Sequence, residues 1–407
     1  MAHKEPLNIL VFNCGSSSLT YKIFRVKSLS DITVVAHGKA HRVGVKGAVS
    51  SFVEHRFDGK SEKAVVPIAS HQAAARLILK YIEKESIKVD CVGHRFVHGG
   101  NHFKGSVLLD TPNLKKLLLC LPLAPIHNPI SMGVIRESRK FFPGLVQYAT
   151  FDSAFHSTIP DYAYTYALPE RITRKFGFRK YGFHGLSYSY VAREVPVFLK
   201  RRTGDIKIVA CHLGTGGSSV CAIKYGHSID CSMGYSPLTG LVMSTRCGDI
   251  DPMLMLYLMT AYGYRPDELM DLLNKKSGLL GISGFSSDIT DIIHKVYEKK
   301  DIGRVSLAFN MYIHRLRKYI GSYVAALGGV DALVFTDDIG VHNWRLRERV
   351  CGGMEWAGLR LDTDLNSASS GDEIVSVNKK DSKVKIVLLP TEEEFIICLE
   401  GAKLLLR

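Results

Sequence analysis

Apolar positions fall in short runs separated by turn chemistry. Ile9 to Phe12 is a continuous apolar run of buried-strand type, Asn13 to Ser18 is turn-like, and Leu19 to Phe24 returns to strand composition. The pattern predicts a hairpin with a polar, glycine-containing tip. It recurs from Ile206 to Ile223, where a strand, a Gly/Ser/Thr tip from Gly214 to Ser219 and a second strand follow one another. Between these hairpins, Ile32 to Val66 reads as short β pieces broken by Gly44, Gly47 and Gly59, and helical spacing predicts a helix over His71 to Lys84. Asp90 to Val97 reads as a strand leading into His98, Gly99 and Gly100, and Pro112 to Leu121 as a short helix stopped by Pro122. Val305 to Leu327 carries the clearest helical stripe and ends at Gly328 and Gly329. A buried strand at Leu333 to Phe335, a loop T-D-D-I-G-V-H-N and a last strand at Ile386 to Leu389 follow. Pro390 and Thr391 begin a terminal helix, and Thr391 with Glu394 fits a capping box. Strands alternating with helices predict an α/β protein.

The two tips change the picture from fold to chemistry. Each offers glycine for close backbone approach together with hydroxyls, and successive N–H groups in such turns form anion-binding concavities. Two similar strand-loop-strand units in the 407-residue chain suggest two related halves handling a phosphoryl group. The formal net charge of +14 favours anionic partners but does not choose among them. No block of five or six consecutive basic residues occurs, and no aromatic platform is interleaved with one, so nucleic acid ranks low. Nine cysteines without a C-x-x-C pair resemble neither a disulfide framework nor a zinc site, which points to a reducing, cytoplasmic setting. The start M-A-H-K-E-P-L-N lacks an apolar signal core and no apolar run reaches membrane-spanning length.

Compact polar motifs crowd the middle of the chain. Together, N-x-G-S-S-S-L, H-R-F-V-H-G-G, A-P-I-H-N-P, F-D-S-A-F-H, Y-G-F-H-G, H-L-G, S-T-R-C-G-D-I-D-P and P-T-E-E-E resemble, in order and over essentially the whole chain, the acetate kinases, the acetokinase branch of the actin-like ATPase and sugar-kinase superfamily. The resemblance implies two duplicated actin-like, ribonuclease H-like domains around a central cleft: residues 1–153 joined by a terminal helix 391–407, and residues 154–390 with the phosphoryl-donor site. It further implies a homodimer acting on small molecules. Carried over, Asn13, Ser16 and Ser18 lie on a phosphate loop, with Gly214 and Gly216 on the second. Arg95 and Arg246 flank the phosphoryl group. Asp152 and Glu393, with Asn13, help hold Mg²⁺ or Mn²⁺; His127, His184 and His212 contact phosphoryl oxygens. Val97, Ile126, Phe183 and Pro237 form an acetate methyl pocket. Such groups suit the chemistry, because transfer between two anions is limited by charge crowding and an arginine fork pairs with two phosphate oxygens.

Departures from the family pattern cluster where adenosine is held. The usual H-L-G-N-G-[SA]-S is here H-L-G-T-G-G-S-S, with Thr215 for Asn. A-G-I-G-E-N becomes Asp337, Asp338, Ile339, Gly340, Val341 and His342, and the expected Asp-Phe-Arg becomes Asp288, Ile289 and Thr290. An Asp in place of Gly adds bulk and charge beside the nucleoside, and loss of the Arg removes a stacking group. The phosphate and acetate motifs stay intact. A donor site that keeps its phosphate end and fills its adenosine end should take pyrophosphate, and the loop details are similar to those of a pyrophosphate-dependent branch in amoebic protists. The expected reaction interconverts acetyl phosphate plus orthophosphate and acetate plus pyrophosphate. An ATP-dependent acetate kinase is the first alternative, and a non-catalytic sensor of a phosphorylated ligand the second.

Overall fold

The computed structural model describes residues 5–45, 50–298 and 303–406, and the break expected at Gly47 lies outside them. The chain divides into two compact units, Met1–Phe155 with Glu392–Arg407, and His156–Thr391. In the first, β1 (Leu7–Cys14), β2 (Ser18–Ser28), β3 (Asp31–His41), β4 (Phe52–Phe57), β5 (Lys60–Val65), β6 (Cys91–Phe96), β7 (Val107–Leu108) and β8 (Val146–Phe151) form one sheet in the order β5-β4-β3-β2-β1-β6-β8-β7. β1 runs antiparallel to β2 and parallel to β6, and β6 runs parallel to β8. Side chains alternate across such a sheet. Leu10, Phe12, Val92 and Val134 pack with Ala74, Ala75 and Ile78 of the helix His71–Lys84 in one apolar cluster. That helix begins where its spacing predicts, with Ser70 Oγ accepting from Ala73 N–H.

Intervening positions serve the helix Glu393–Leu405. The Tyr148 hydroxyl donates to Ile397 O at 2.8 Å. A Cβ added at Gly401 would stand 2.1 Å from Tyr148 Cζ, and one at Gly93 2.3 Å from its hydroxyl. Two glycines therefore make the slot in which this buried ring lies. The capping box expected at the start of the helix does not form. Glu392 is the N-cap residue without a capping side chain, and the Thr391 hydroxyl finds no partner among the described residues. The Glu394 carboxylate accepts from Asn13 Nδ2 instead of turning back on its own helix.

In the second unit, β9 (Lys207–Gly214), β10 (Gly217–Lys224), β11 (His227–Cys231), β12 (Ala332–Thr336), β13 (Val375–Ser376) and β14 (Lys385–Leu389) are ordered β11-β10-β9-β12-β14-β13. β10 is antiparallel to β9 and β11, β9 and β12 are parallel, β12 and β14 are parallel, and β13 is antiparallel to β14. This repeats β3-β2-β1-β6-β8-β7 strand for strand, in order and direction, with β4 and β5 as the addition in the first unit. The predicted α/β duplication is present. The helix Arg304–Leu327 buries Phe309, Tyr312, Leu316 and Ile320 against the second sheet and stops at Gly328, whose φ of 65° is left-handed.

Two expectations about local structure are corrected. The segment read as the loop T-D-D-I-G-V-H-N forms the short helix Asp337–His342, because Thr336 and Asp337 turn the chain directly from strand into helix. The second hairpin tip is only Thr215 and Gly216, since Gly217 already pairs with Gly214. All nine cysteines are free, and eight are buried. Among the described residues no helix is long and apolar enough to cross a membrane.

Candidate active site

In open α/β sheets, ligands bind beyond the carboxyl ends of parallel strands. In the first unit, Asn13 near the end of β1, Arg95 near the end of β6 and Asp152 immediately after β8 are brought together there. Arg95 donates to both Asp152 oxygens, Nε to Oδ1 at 2.9 Å and Nη2 to Oδ2 at 2.6 Å. Its Nη1 donates to Asn13 Oδ1 at 3.0 Å and lies 3.3 Å from Glu393 Oε2. Asn13 Nδ2 donates to Glu393 Oε2 at 3.0 Å and Glu394 Oε1 at 2.8 Å. Burial opposes the charge on Arg95, but the Asp152 and Glu393 carboxylates outweigh it and raise its pKa. A guanidinium bearing this much negative charge is fixed in direction and protonation.

Ser16 is exposed and Ser18 half-buried at the first hairpin tip. Gly15 N–H donates to Ser18 O at 2.9 Å, and His71 Nε2 to Gly15 O at 2.9 Å, so a buried imidazole steadies the turn from below. Val97 is buried just beyond β6, Ile126 is 55% exposed, and His127 is the N-cap residue of the helix Asn128–Phe141. Motif reading passed over Asn128. Its amide donates to His98 O and Cys120 O and accepts from His98 N–H, tying A-P-I-H-N-P to H-R-F-V-H-G-G. Its signal was its place beside His127 at a helix start.

In the second unit, His184 and His212 lie in ring contact, centroids 4.1 Å apart and planes tilted by 30°. His184 has a left-handed φ of 58° at the start of the helix Gly185–Phe198, and its Nδ1 lies 2.8 Å from Ser219 Oγ, itself 2.5 Å from the Tyr188 hydroxyl. His212 Nδ1 is 2.9 Å from Ser187 Oγ and its Nε2 3.1 Å from Asp337 Oδ2. Phe183, buried beside His184, has its carbonyl bonded to His156 Nε2 at 2.9 Å. Burial lowers the His156 pKa to about 4, leaving a neutral ring.

Arg246 is the most informative group of this unit. Its contacts are Pro237 O at 3.4 Å and Met243 Sδ at 3.8 Å, and it makes no ion pair among the described residues. Burial lowers its pKa with no carboxylate to restore it. A Cβ at Gly217 would be 3.1 Å from Arg246 Nη1 and 3.6 Å from His184 Nε2, so both groups converge above the bare Gly217 backbone. A half-buried guanidinium with no carboxylate partner among the described residues has donors free to pair with an anion.

Asp337 and Asp338 close the far side of the tip. Asp337 has a left-handed φ of 66°, and a Cβ at Gly214 would meet its Oδ2 at 1.9 Å; Gly216 faces open space. Asp338 accepts from Thr215 N–H at 3.1 Å and from the Thr215 hydroxyl at 3.0 Å. Although Asp338 as a residue stays largely exposed, loss of water around its carboxylate, then the Asp337 charge, raises its pKa. Thr290 is exposed, with its N–H on Asp288 Oδ1 at 2.7 Å.

Among the described residues no three His, Cys, Asp or Glu gather as a cage for a metal ion. Mg²⁺ needs no such cage, since it keeps several waters and takes one or two carboxylates plus substrate phosphates. Asp152 and Glu393 are hard oxygen donors with lone pairs beyond those given to Arg95 and Asn13, and they fit that role.

Two sheets of one topology, each with polar and charged groups at the carboxyl ends of its parallel strands, define a duplicated α/β fold. The model of the Acetokinase family matches residues 8–399. The acetate kinase of Thermoanaerobacter pseudethanolicus is 42% identical over 406 residues, 98% of this chain and 99% of that enzyme. The crystal structure of acetate kinase from Entamoeba histolytica superposes with a TM-score of 0.88 at 44% identity, covering 98% of this chain and 100% of that one. That of a propionate kinase from Francisella tularensis gives 0.86 at 34% identity over 97% and 98%. The chain belongs to the acetokinase family.

Proposed function

We propose that the protein is an acetate kinase that uses an inorganic partner, interconverting acetyl phosphate plus orthophosphate and acetate plus pyrophosphate by direct in-line transfer. Arg246, half-buried and without a carboxylate, and Arg95, locked by Asp152, supply the charge that a phosphoryl group in flight needs. Asn13, Ser16, Ser18 and the Gly214–Gly216 tip present donors to phosphate oxygens, with His127, His184 and His212 as further partners. Asp152 and Glu393 would hold Mg²⁺, which neutralises charge on the bridging oxygens when bound. Val97, Ile126, Phe183 and Pro237 are assigned to the acyl methyl group.

The choice of donor rests on one observation, the pair of hydrogen bonds from Thr215 to Asp338. The pair ties together two of the departures from the family's nucleotide motifs, and it puts a carboxylate where the resemblance places adenosine. A nucleoside there would have to break both bonds and sit against that charge. Initial rates with Mg²⁺ and pyrophosphate, orthophosphate, ATP or GTP test this. Turnover with the inorganic pair and ATP rates at least about a hundredfold lower are expected, equivalent to about 2.7 kcal/mol in the barrier; comparable ATP turnover overturns it. ATP as donor remains the second reading, favoured by the exposure of Asp338 and Thr290.

We assign self-association to the helix Pro252–Tyr262. Met253, Leu254, Leu256, Tyr257 and Tyr262 are each more than half exposed, and none of its residues is buried. A helix so apolar on every side is stable in water only when something covers it.

A further inference from the structure

Arg246 lies on a long connection between β11 and the helix Pro252–Tyr262, and long connections do not hold a side chain still by themselves. Its position is set at a neck. Gly240 N–H donates to Asp249 Oδ1 at 2.8 Å, and Asp249 N–H returns a bond to Gly240 O at 3.1 Å. Gly248, with a left-handed φ of 71°, lets the strands of the neck meet, since a Cβ there would be 2.4 Å from Leu241 O. The neck is then gripped by one face of the helix Arg304–Leu327. The Tyr319 hydroxyl donates to Asp249 Oδ2 at 2.6 Å, and Arg315, one turn earlier, donates to Gly240 O at 2.9 Å and Asp249 O at 3.3 Å.

We infer that Tyr319 and Arg315 are positioning residues for Arg246, acting through Asp249 to fix the loop on which that guanidinium is carried. Asp249 spends both carboxylate oxygens on the clamp, one on each side of the neck. Inside the loop, Met243 N–H bonds to Arg246 O at 3.2 Å, so a movement at the neck is passed to Arg246 through fixed backbone, while Cys247 N–H bonds outside it to Leu273 O of the helix Pro266–Lys275 at 3.1 Å. Helix Arg304–Leu327 is anchored in the core of the unit, which gives the clamp a rigid base. The inference rests on the role given to Arg246 above.

Tyr319→Phe removes one hydroxyl and keeps the ring. It is expected to lower kcat about tenfold, as small misplacements of a catalytic group do, with KM for acetyl phosphate changed less than about twofold and the melting temperature unmoved. Asp249→Asn should act in the same direction. In an Arg246→Lys background, assayed at enzyme concentrations raised until its rate can be read, Tyr319→Phe should cost less than about twofold, because the guanidinium it positions is gone. Equal cost in both backgrounds, or no cost in either, overturns the inference. If Arg246→Lys alone leaves turnover intact, it is the role of Arg246 that fails.

Discussion

Asp152 has both oxygens on one guanidinium and is 1% exposed, while Arg95 carries Asn13 and Glu393 on its remaining donors. The value of such a pair lies less in its net stability than in what its loss leaves behind. Asp152→Ala leaves a half-buried Arg95 with Glu393 as its remaining carboxylate, so the cost should fall below the roughly 3–5 kcal/mol of breaking a fully buried pair. Asp152→Asn keeps the shape and one acceptor oxygen, so it is expected to fold, to lose less stability than Asp152→Ala in urea titrations, and to need a higher Mg²⁺ concentration for half-maximal rate. An unchanged Mg²⁺ requirement in the Asn variant would remove Asp152 from the metal site. Arg246 presents the opposite case, a guanidinium with no carboxylate partner among the described residues, so burial lowers its pKa where Asp152 and Glu393 raise that of Arg95.

At the scale of elements, the slot for Tyr148 is the joint most open to a single-atom test. Gly401→Ala places a methyl group 2.1 Å from the ring, which can be relieved only by moving the ring or the helix. Overpacking of this kind costs about 1–3 kcal/mol or more. Equilibrium unfolding should show that loss, and an unaltered midpoint would mean the helix is not seated as described. Elements with a single apolar stripe were legible in sequence, as His71–Lys84 and Arg304–Leu327 show. Gly185–Phe198 was hidden because it opens on the glycine and serine of a site motif and carries Pro196 inside it, and Pro252–Tyr262 because a helix apolar on all sides has no stripe to find. The same physics divides the candidate site. Dense motifs announced Arg95, Asp152, His184 and Arg246 as chemistry-bearing residues, whereas Tyr319 meets Asp249 from 70 residues away and reads, in sequence, as one more core position of a long helix. Asp338 looked like a substitution, but its partner Thr215 could be paired with it only through the folded register of β9 with β12.

For the molecule as a whole, the self-association proposed for the exposed helix Pro252–Tyr262 can be tested by the protein's mass in solution. Leu254→Glu with Tyr257→Glu puts two charges on that face, and light scattering should find half the mass of the parent protein. Equal masses would take the interface elsewhere. A different consequence follows from the last helix. The face of the first sheet that holds Gly93 and Tyr148 is roofed by Glu393–Leu405, a stretch that follows the whole second unit in the chain. During synthesis, residues 156–391 emerge with every strand of their own sheet already in hand, while the strands of the first sheet must wait, one side still bare, until residues 393–405 have followed. The front-to-back order of maturation is thereby inverted between these two units, and the earlier one is completed only after the later.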